Sequence, residues 1–373
     1  MIRCDNNAAE LLIAPLTREP HQKGQTFVFV GMGNCTSFAS SEVKEDNDTH
    51  DNVLLMDETV HSNGCPKLVS IYSQQGTKEK NQDSALFYQG FGTEEQSFCG
   101  VFDGHGMNGH IVSKLVRNRL PGLILRQQKA FADEDYEETS SGEPVSSSEW
   151  RRACVSAFKV MDKEIKREKN LDCSWSGTTA VTIIMQGKDL IISNLGDSRA
   201  ILGTISRNDE LTAVQLTTDL KPDLPNESER IKKCNGRIFA LQAEPSIQRV
   251  WLPNDDFPGI AMSRSFGDFG IKNYGIIAIP QMSFRRTTNK DQFVVLATDG
   301  VWDVLTNNEV ASIVWSVKNG EKAAIAVVHA AVSAWKQRYP STKIDDCTVI
   351  CVFLQERSQD IHIVCKETNT SIN

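Results

Sequence analysis

The chain has 373 residues, 40% hydrophobic and 24% charged, with a formal net charge of −8. That length buries a large core as one big domain or two ordinary ones, and the acidic balance speaks against nucleic-acid binding, which calls for a basic footprint. No run approaches the roughly eighteen apolar residues of a membrane helix, and the ten cysteines contain no CxxC pair, so they read as small buried hydrophobes in a reducing compartment.

Residues 1–66 are rich in Asn, Asp, Ser and Thr, with one apolar island at Phe27-Val28-Phe29-Val30, and are predicted to be a disordered extension. They lack the basic patch and long apolar run of a secretory signal. Within them, Met32-Gly33-Asn34-Cys35-Thr36-Ser37 matches the pattern for N-myristoylation, with Cys35 placed for a second acylation. The motif operates only if translation starts at Met32, because Gly33 must be a free amino terminus. On that start, two lipids would hold the protein at the plasma-membrane periphery; without them it is expected in the cytoplasm or nucleus. A loose pattern in a Ser/Thr-rich stretch also arises by chance.

Order is predicted from Lys67. Strands over 68–74 and 83–88 flank a polar loop over 75–82, and a short apolar strand from Ser97 runs into Phe102-Asp103-Gly104-His105-Gly106. Ile111, Val112, Leu115, Val116 and Leu120 form a helical stripe predicted to end at Pro121. An acidic, Ser-rich surface loop over 129–148 closes on Ser146, whose spacing from Glu149 predicts a capping box. The helix it opens buries Trp150, Ala153, Cys154, Ala157, Phe158, Met161 and Ile165. Residues 178–185 and 190–195 read as a hairpin ending in Gly196-Asp197-Ser198-Arg199. Residues 219–260 read as an insertion with a helix over 227–233 and a strand over 236–240. A strand over 293–297 then meets Thr298-Asp299-Gly300. A helix follows from a Thr306/Glu309 capping box, then an Ala/Val-rich helix over 322–337, and Asp345-Asp346 precedes a closing strand over 347–354. Residues 357–373 read as a tail. So many hairpins among helices predict an α+β fold of antiparallel sheets covered by helices.

Asp83, Asp103, Asp197, Asp299 and Asp345 all fall at strand–loop junctions. Any one of them could be an ordinary turn or strand-end residue. Together they propose a shared acidic centre, because an Asp at the mouth of a buried strand is costly without a partner and one cation can serve several. Carboxylate and carbonyl oxygens suit magnesium or manganese rather than zinc. Two such ions bridged by an Asp and a water generate a nucleophile for attack on phosphorus. The absence of Cys-x5-Arg points away from a cysteine nucleophile. His105 is either a general acid or a loop residue filling a polar gap. Lys78 could clamp a phosphate oxygen as a point charge, and Lys80 reads as solvated.

Seven ordered blocks carry a more specific resemblance: 75–83 (Gln-Gly-Thr-Lys-Glu-Lys-Asn-Gln-Asp), Val101-Phe102-Asp103-Gly104-His105-Gly106, Ser176-Gly177-Thr178-Thr179-Ala180, Asn194 to Ala200, Ala261 to Asp268, Leu296 to Asp303, and Asp345-Asp346-Cys347-Thr348-Val349. The chain resembles the metal-dependent serine/threonine protein phosphatases of the 2C type, in their plant branch, over about residues 70–356. The resemblance implies a four-layer α-β-β-α sandwich with two central antiparallel sheets, a phosphatase domain over 67–356 and a flap over 219–260 beside a cleft at one end. It implies that Asp103, Asp299 and Asp345 hold one Mg2+ or Mn2+ and that Asp103 with the Gly104 carbonyl holds a second. Asp83 would help, partly through water, and Asp197 with Asp299 would form a weaker third site. It makes His105 the general acid in hydrolysis of phosphoserine and phosphothreonine by a water bridged between the two ions. Expected partners are phosphorylated proteins, protein kinases among them, met by a monomer.

The chain departs from the family in Lys78, where many members carry arginine, and in Gln82, where a glutamate is usual. Thr77 and Glu79 stand where related plant chains tend to carry Arg and Gly. The competing reading is a weakly active phosphatase-fold protein that binds and represses a kinase; the presence of all five Asp and His105 favours activity.

Overall fold

Apolar runs without alternation, such as Phe293-Val294-Val295-Leu296-Ala297, require strands buried on both faces. That is how the chain uses them. The computed structural model describes residues 24–28, 52–57, 68–134, 145–340 and 343–355. One six-stranded sheet runs in the order β1 (Gly24–Val28), β3 (Val69–Gln74), β17 (Cys347–Phe353), β16 (Asp291–Ala297), β10 (Arg199–Ile205) and β11 (Leu211–Gln215). The other runs β15 (Gln281–Arg286), β9 (Asp189–Leu195), β8 (Ala180–Gln186), β5 (Gln96–Phe102), β4 (Ser84–Gln89) and β2 (Val53–Asp57). Along β16, Val294 and Leu296 enter the core between the sheets with Val101, Ile183 and Ile350. Phe293, Val295 and Ala297 point the other way, as the two-residue repeat of a strand dictates.

Helices cover both outer faces. α1 (Gly109–Glu134) and α2 (Val145–Arg167) pack Val116, Leu120, Trp150 and Phe158 on Phe98 and Phe102. All seven apolar residues predicted for the face of α2 are buried. α4 (Asp299–Trp302), α5 (Asn307–Ser316) and α6 (Ala323–Arg338) pack Val301, Val310, Val314 and Val328 on Tyr72, Val295 and Val349. The architecture is therefore the α+β, four-layer sandwich, with one amendment: β2 joins β4 in parallel, and the other ladders are antiparallel.

The disorder predicted for residues 1–66 does not hold for the two strands found there. β1 includes Phe27 and Val28 of the apolar island and pairs with β3. β2 sends Val53 and Leu55 toward the inter-sheet core and Leu54 toward the helices. Four apolar residues in an Asn- and Asp-rich setting gave no alternation to notice, and a parallel edge strand needs no hairpin turn. The Met32–Ser37 motif lies outside the described residues.

Two boundaries also differ from the sequence reading. α1 continues through Pro121. A helix-interior proline costs about 3 kcal/mol, which burial of Leu123 and Ile124 beyond it offsets at about 1.5–3 kcal/mol each. α2 begins at Val145, so Ser146 lies inside it, and Glu149 instead accepts from Gln128 Nε2 of α1 at 2.8 Å. Residues 135–144 of the predicted loop lie outside the described residues. The Thr306/Glu309 capping box forms as predicted.

The predicted insertion contains α3 (Pro225–Lys233) and a hairpin of β12 (Arg237–Ala240) with β13 (Gln248–Trp251), built over Ile231, Val250, Ile260 and Ile271. A last small sheet joins β6 (Gly104–His105), β7 (Gly177–Thr178) and β14 (Phe266–Gly267). It brings three distant loops together at the site. Of the described cysteines, Cys99, Cys154, Cys173, Cys347 and Cys351 are buried outside any disulfide, and burial pushes the Cys154 thiol up to about 12.

Candidate metal centre

Strand ends set the acidic residues. β5 releases the chain at Asp103, whose N–H donates to Thr179 Oγ1 at 3.1 Å. The next residue must be glycine: a Cβ on Gly104 would lie 2.4 Å from Gly109 O and 2.5 Å from Gln82 O. Asp83 stands just before β4, 1% exposed, and accepts from Thr298 Oγ1 at 2.7 Å. That bond ties it to the end of β16, where Asp299 opens α4. Asp346, which in the sequence analysis only precedes the closing strand, accepts from Gly76 N at 2.8 Å and Gln82 N at 2.9 Å. It thereby staples the 75–82 loop beside Asp345.

These carboxylates act on one another. Burial pushes the Asp103 carboxyl well above the usual range, and Asp299, Asp83 and Asp345 push it further. Burial does the same to Asp299, reinforced by Asp197, Asp303 and Asp345. Asp83 is raised to about 7, by burial first and then by Asp346. Two lysines offset part of the field. Burial alone would lower the Lys78 pKa, but Asp345, 2.5 Å away, and Asp103 raise it. Lys221, ion-paired to the buried Asp197, is raised in the same manner against its own burial.

The structure thus brings Asp83, Asp103, Asp299, Asp345 and Lys78 into one electrostatic cluster, with Asp197 adjoining through Asp299. Among the described residues, no three His, Cys, Asp or Glu side chains converge closely enough to hold an ion by themselves. The donor set nonetheless fits a hard cation that keeps several waters and takes few protein ligands. It is all oxygen, it is mutually repulsive, and Asp197 Oδ1 is buried with no hydrogen-bond partner.

The sequence reading missed Asp303, Lys221 and Asp268. Asp303 follows Asp299 by four residues, the spacing of one helical face, and burial raises it to about 6 against the pull of Lys221. Nothing local marks Lys221. Lys80, read as solvated, is exposed but lies 3.3 Å from His110 Nε2. Thr77 and Glu79 are exposed at the rim.

His105 sits on β6, its Nε2 2.8 Å from Asp268 Oδ2. Burial would lower the imidazole pKa, yet the Asp268 carboxylate more than reverses this and leaves it raised. The 265–272 segment carrying Asp268 is fixed from α2. Asp162 accepts from Gly267 N at 3.0 Å and from Lys272 Nζ at 2.9 Å.

Within the 219–260 segment, Glu227 of α3 accepts from Arg264 Nη2 at 2.6 Å, Arg230 Nη2 at 2.8 Å and Ser263 Oγ at 2.6 Å. Burial would raise its pKa from 4.5, but these donors hold it down at about 2. A depressed acid stabilises the fold above its unfolded pKa and loses that contribution as pH falls toward the folded value. The worth here is on the order of 3 kcal/mol, present above pH 4.5 and lost between 4.5 and about 2. Glu227→Gln is expected to lose about that much stability at pH 7 and to flatten this acid limb in urea denaturation. An unchanged limb would contradict the assignment.

Comparison with known proteins bears on the family and the fold. The sequence profile of the family Protein phosphatase 2C matches residues 68–336. An Arabidopsis thaliana relative, "Probable protein phosphatase 2C 72", is 52% identical over 340 residues, covering 88% of this chain and 99% of its own length. "Probable protein phosphatase 2C 12" of Oryza sativa subsp. japonica is 45% identical over 362 residues, covering 88% and 92%. The crystal structure of serine-threonine phosphatase 2C from Toxoplasma gondii superposes with a TM-score of 0.67 at 25% identity, over 78% of this chain and 95% of that one.

Proposed function

The chain belongs to the protein phosphatase 2C family, in its plant-type branch, and is a metal-dependent serine/threonine phosphatase, and we propose how its own residues divide that work. Asp103, Asp299 and Asp345 would hold one Mg2+ or Mn2+, and Asp103 with the Gly104 carbonyl would hold a second. Asp83 supports them partly through water, and Asp197 with Asp299 offers a weaker third site. When bound, the cations supply an acidified water for attack on phosphorus and offset the charge of the phosphate.

Lys78 binds a phosphate oxygen as a point charge rather than with the two-pronged grip of an arginine. His105 gives its proton to the departing Ser or Thr oxygen. The domain doing this spans 67–356, with 219–260 as a flap that tunes the choice of phosphorylated protein, kinases included. It works as a monomer in the cytoplasm or nucleus, with lipid attachment at Gly33 on the internal start. Among the described residues, no helix is long and apolar enough to cross a membrane.

The observation that carries this reading is the gathering of these carboxylates at strand ends with Asp197 Oδ1 buried and unpartnered; desolvation first, and then acidic neighbours, push Asp103, Asp299 and Asp83 upward, a cost that bound cations relieve. Turnover of a phosphothreonine peptide is expected in millimolar manganese and lost in EDTA; turnover that survives EDTA would overturn the reading. Manganese at 100 times its Kd is also expected to stabilise the folded protein by about 2.7 kcal/mol, read as a rise in Tm.

A further inference from the structure

One buried carboxylate, Asp268, lies outside the proposed ligand set and against His105. Asp268 is fully buried and adopts a φ of 53°, a left-handed conformation that a non-glycine residue keeps only where its surroundings enforce it. They do so here. Its N–H donates to Ser176 O at 3.0 Å, and Asp162 anchors the same segment through Gly267 N and Lys272. The strained turn aims Oδ2 at two donors, Ser265 Oγ at 2.5 Å and His105 Nε2 at 2.8 Å. The opposite wall leaves room for this contact because it is glycine. A Cβ on Gly177 would stand 2.5 Å from Asp268 Oδ2 and 2.9 Å from His105 Nε2.

We propose that Asp268 is a positioning residue for dephosphorylation: its carboxylate holds the His105 ring through Nε2 and so keeps the imidazole facing the departing oxygen of the phosphorylated side chain. This rests on the reading of His105 as general acid. In that step the attacking water gives one proton to solvent as its oxygen bonds to phosphorus. The P–O bond to the Ser or Thr side chain breaks with its electron pair on oxygen, and that oxygen takes the proton of His105 Nδ1, the ring nitrogen left without a partner while Nε2 is held by Asp268. Solvent returns a proton to the ring. Asp268 exchanges none; it holds the ring through Nε2, and Ser265 holds the carboxylate in turn.

A misaimed acid should matter only when the leaving oxygen needs a proton. The test compares a phosphothreonine peptide with p-nitrophenyl phosphate, whose phenolate departs unprotonated, both in saturating manganese. Asp268→Ala is expected to lower kcat on the peptide by about 10²-fold, with KM within about twofold, and to lower aryl phosphate turnover far less. Asp268→Asn, whose amide oxygen still accepts from Nε2–H, should recover most of the peptide activity. Should Asp268→Ala fail to fold, Ser265→Ala reads the same selectivity at smaller amplitude.

Equal losses on both substrates, or none, in the Asp268 and Ser265 variants would overturn the positioning role. If His105→Ala still discriminates between the substrates in that case, the general-acid reading survives alone. If His105→Ala fails to discriminate, that reading falls and takes this inference with it.

Discussion

Asp103→Asn and Asp299→Asn are each expected to abolish hydrolysis of a phosphothreonine peptide in manganese, a loss of at least about 10³-fold, or roughly 4 kcal/mol of barrier. Each carboxylate is half-buried and is pushed upward by desolvation and by its acidic neighbours, so neutralising either removes charge where cations are proposed to sit. The same argument fixes a second sign. Without cations, the wild type bears the full repulsion among Asp83, Asp103, Asp299 and Asp345, and each Asn variant relieves part of it. In EDTA the variants should therefore melt no lower than the wild type. Addition of manganese should raise their Tm less than it raises that of the wild type. Near wild-type turnover in either variant would dismiss the proposed metal ligands.

Gly300→Ala is the second change with a large expected effect, and it acts through the backbone. A Cβ at Gly300 would lie 1.9 Å from Asp346 O, main chain against main chain, with no flexible side chain to yield. α4 would have to lift away from the start of β17, parting Asp299 from Asp345. It would also strain the bonds that Gly300 O receives from Trp335 Nε1 at 2.7 Å and Cys347 Sγ at 3.3 Å. We expect a loss above about 3 kcal/mol and little remaining activity, read from urea denaturation and peptide turnover. Gly122→Ala is the control. It lies exposed in α1 with nothing within 4 Å of a Cβ, and there alanine should stabilise by about 0.5–1 kcal/mol. A tolerated Gly300→Ala would show that the two Asp-bearing segments are not held in contact as described.

Most of the sandwich could be read from local pattern. Strands such as β16 and β17 are apolar on both faces, and their flanking Asp residues stood out because nothing in packing called for them. The helix begun by Thr306 and Glu309 was legible because its cap is a contact between residues three apart. What escaped depends on the fold. Pro121 reads as a stop, and only the buried residues beyond it show why the helix continues. Val53 to Met56 is too short to show a period, and its partner lies thirty-two residues away at Ala85. Lys221 and Asp268 are unremarkable in sequence, because the partners that define them, Asp197 and His105, arrive through the insertion and the small sheet of β6, β7 and β14.

Strand β17, the last of the described strands, is not at an edge: it fills the slot between β3 and β16 in the middle of its sheet. As the polypeptide leaves the ribosome, β3 and β16 are both available long before the segment that must lie between them. Until residues 347–353 emerge, that half of the sandwich is held open with two unsatisfied backbone edges, and Asp345 has nowhere to stand. Closure of the sheet and placement of Asp345 therefore come together, once β17 has entered between β3 and β16, and a chain cut before residue 347 is expected to lack both.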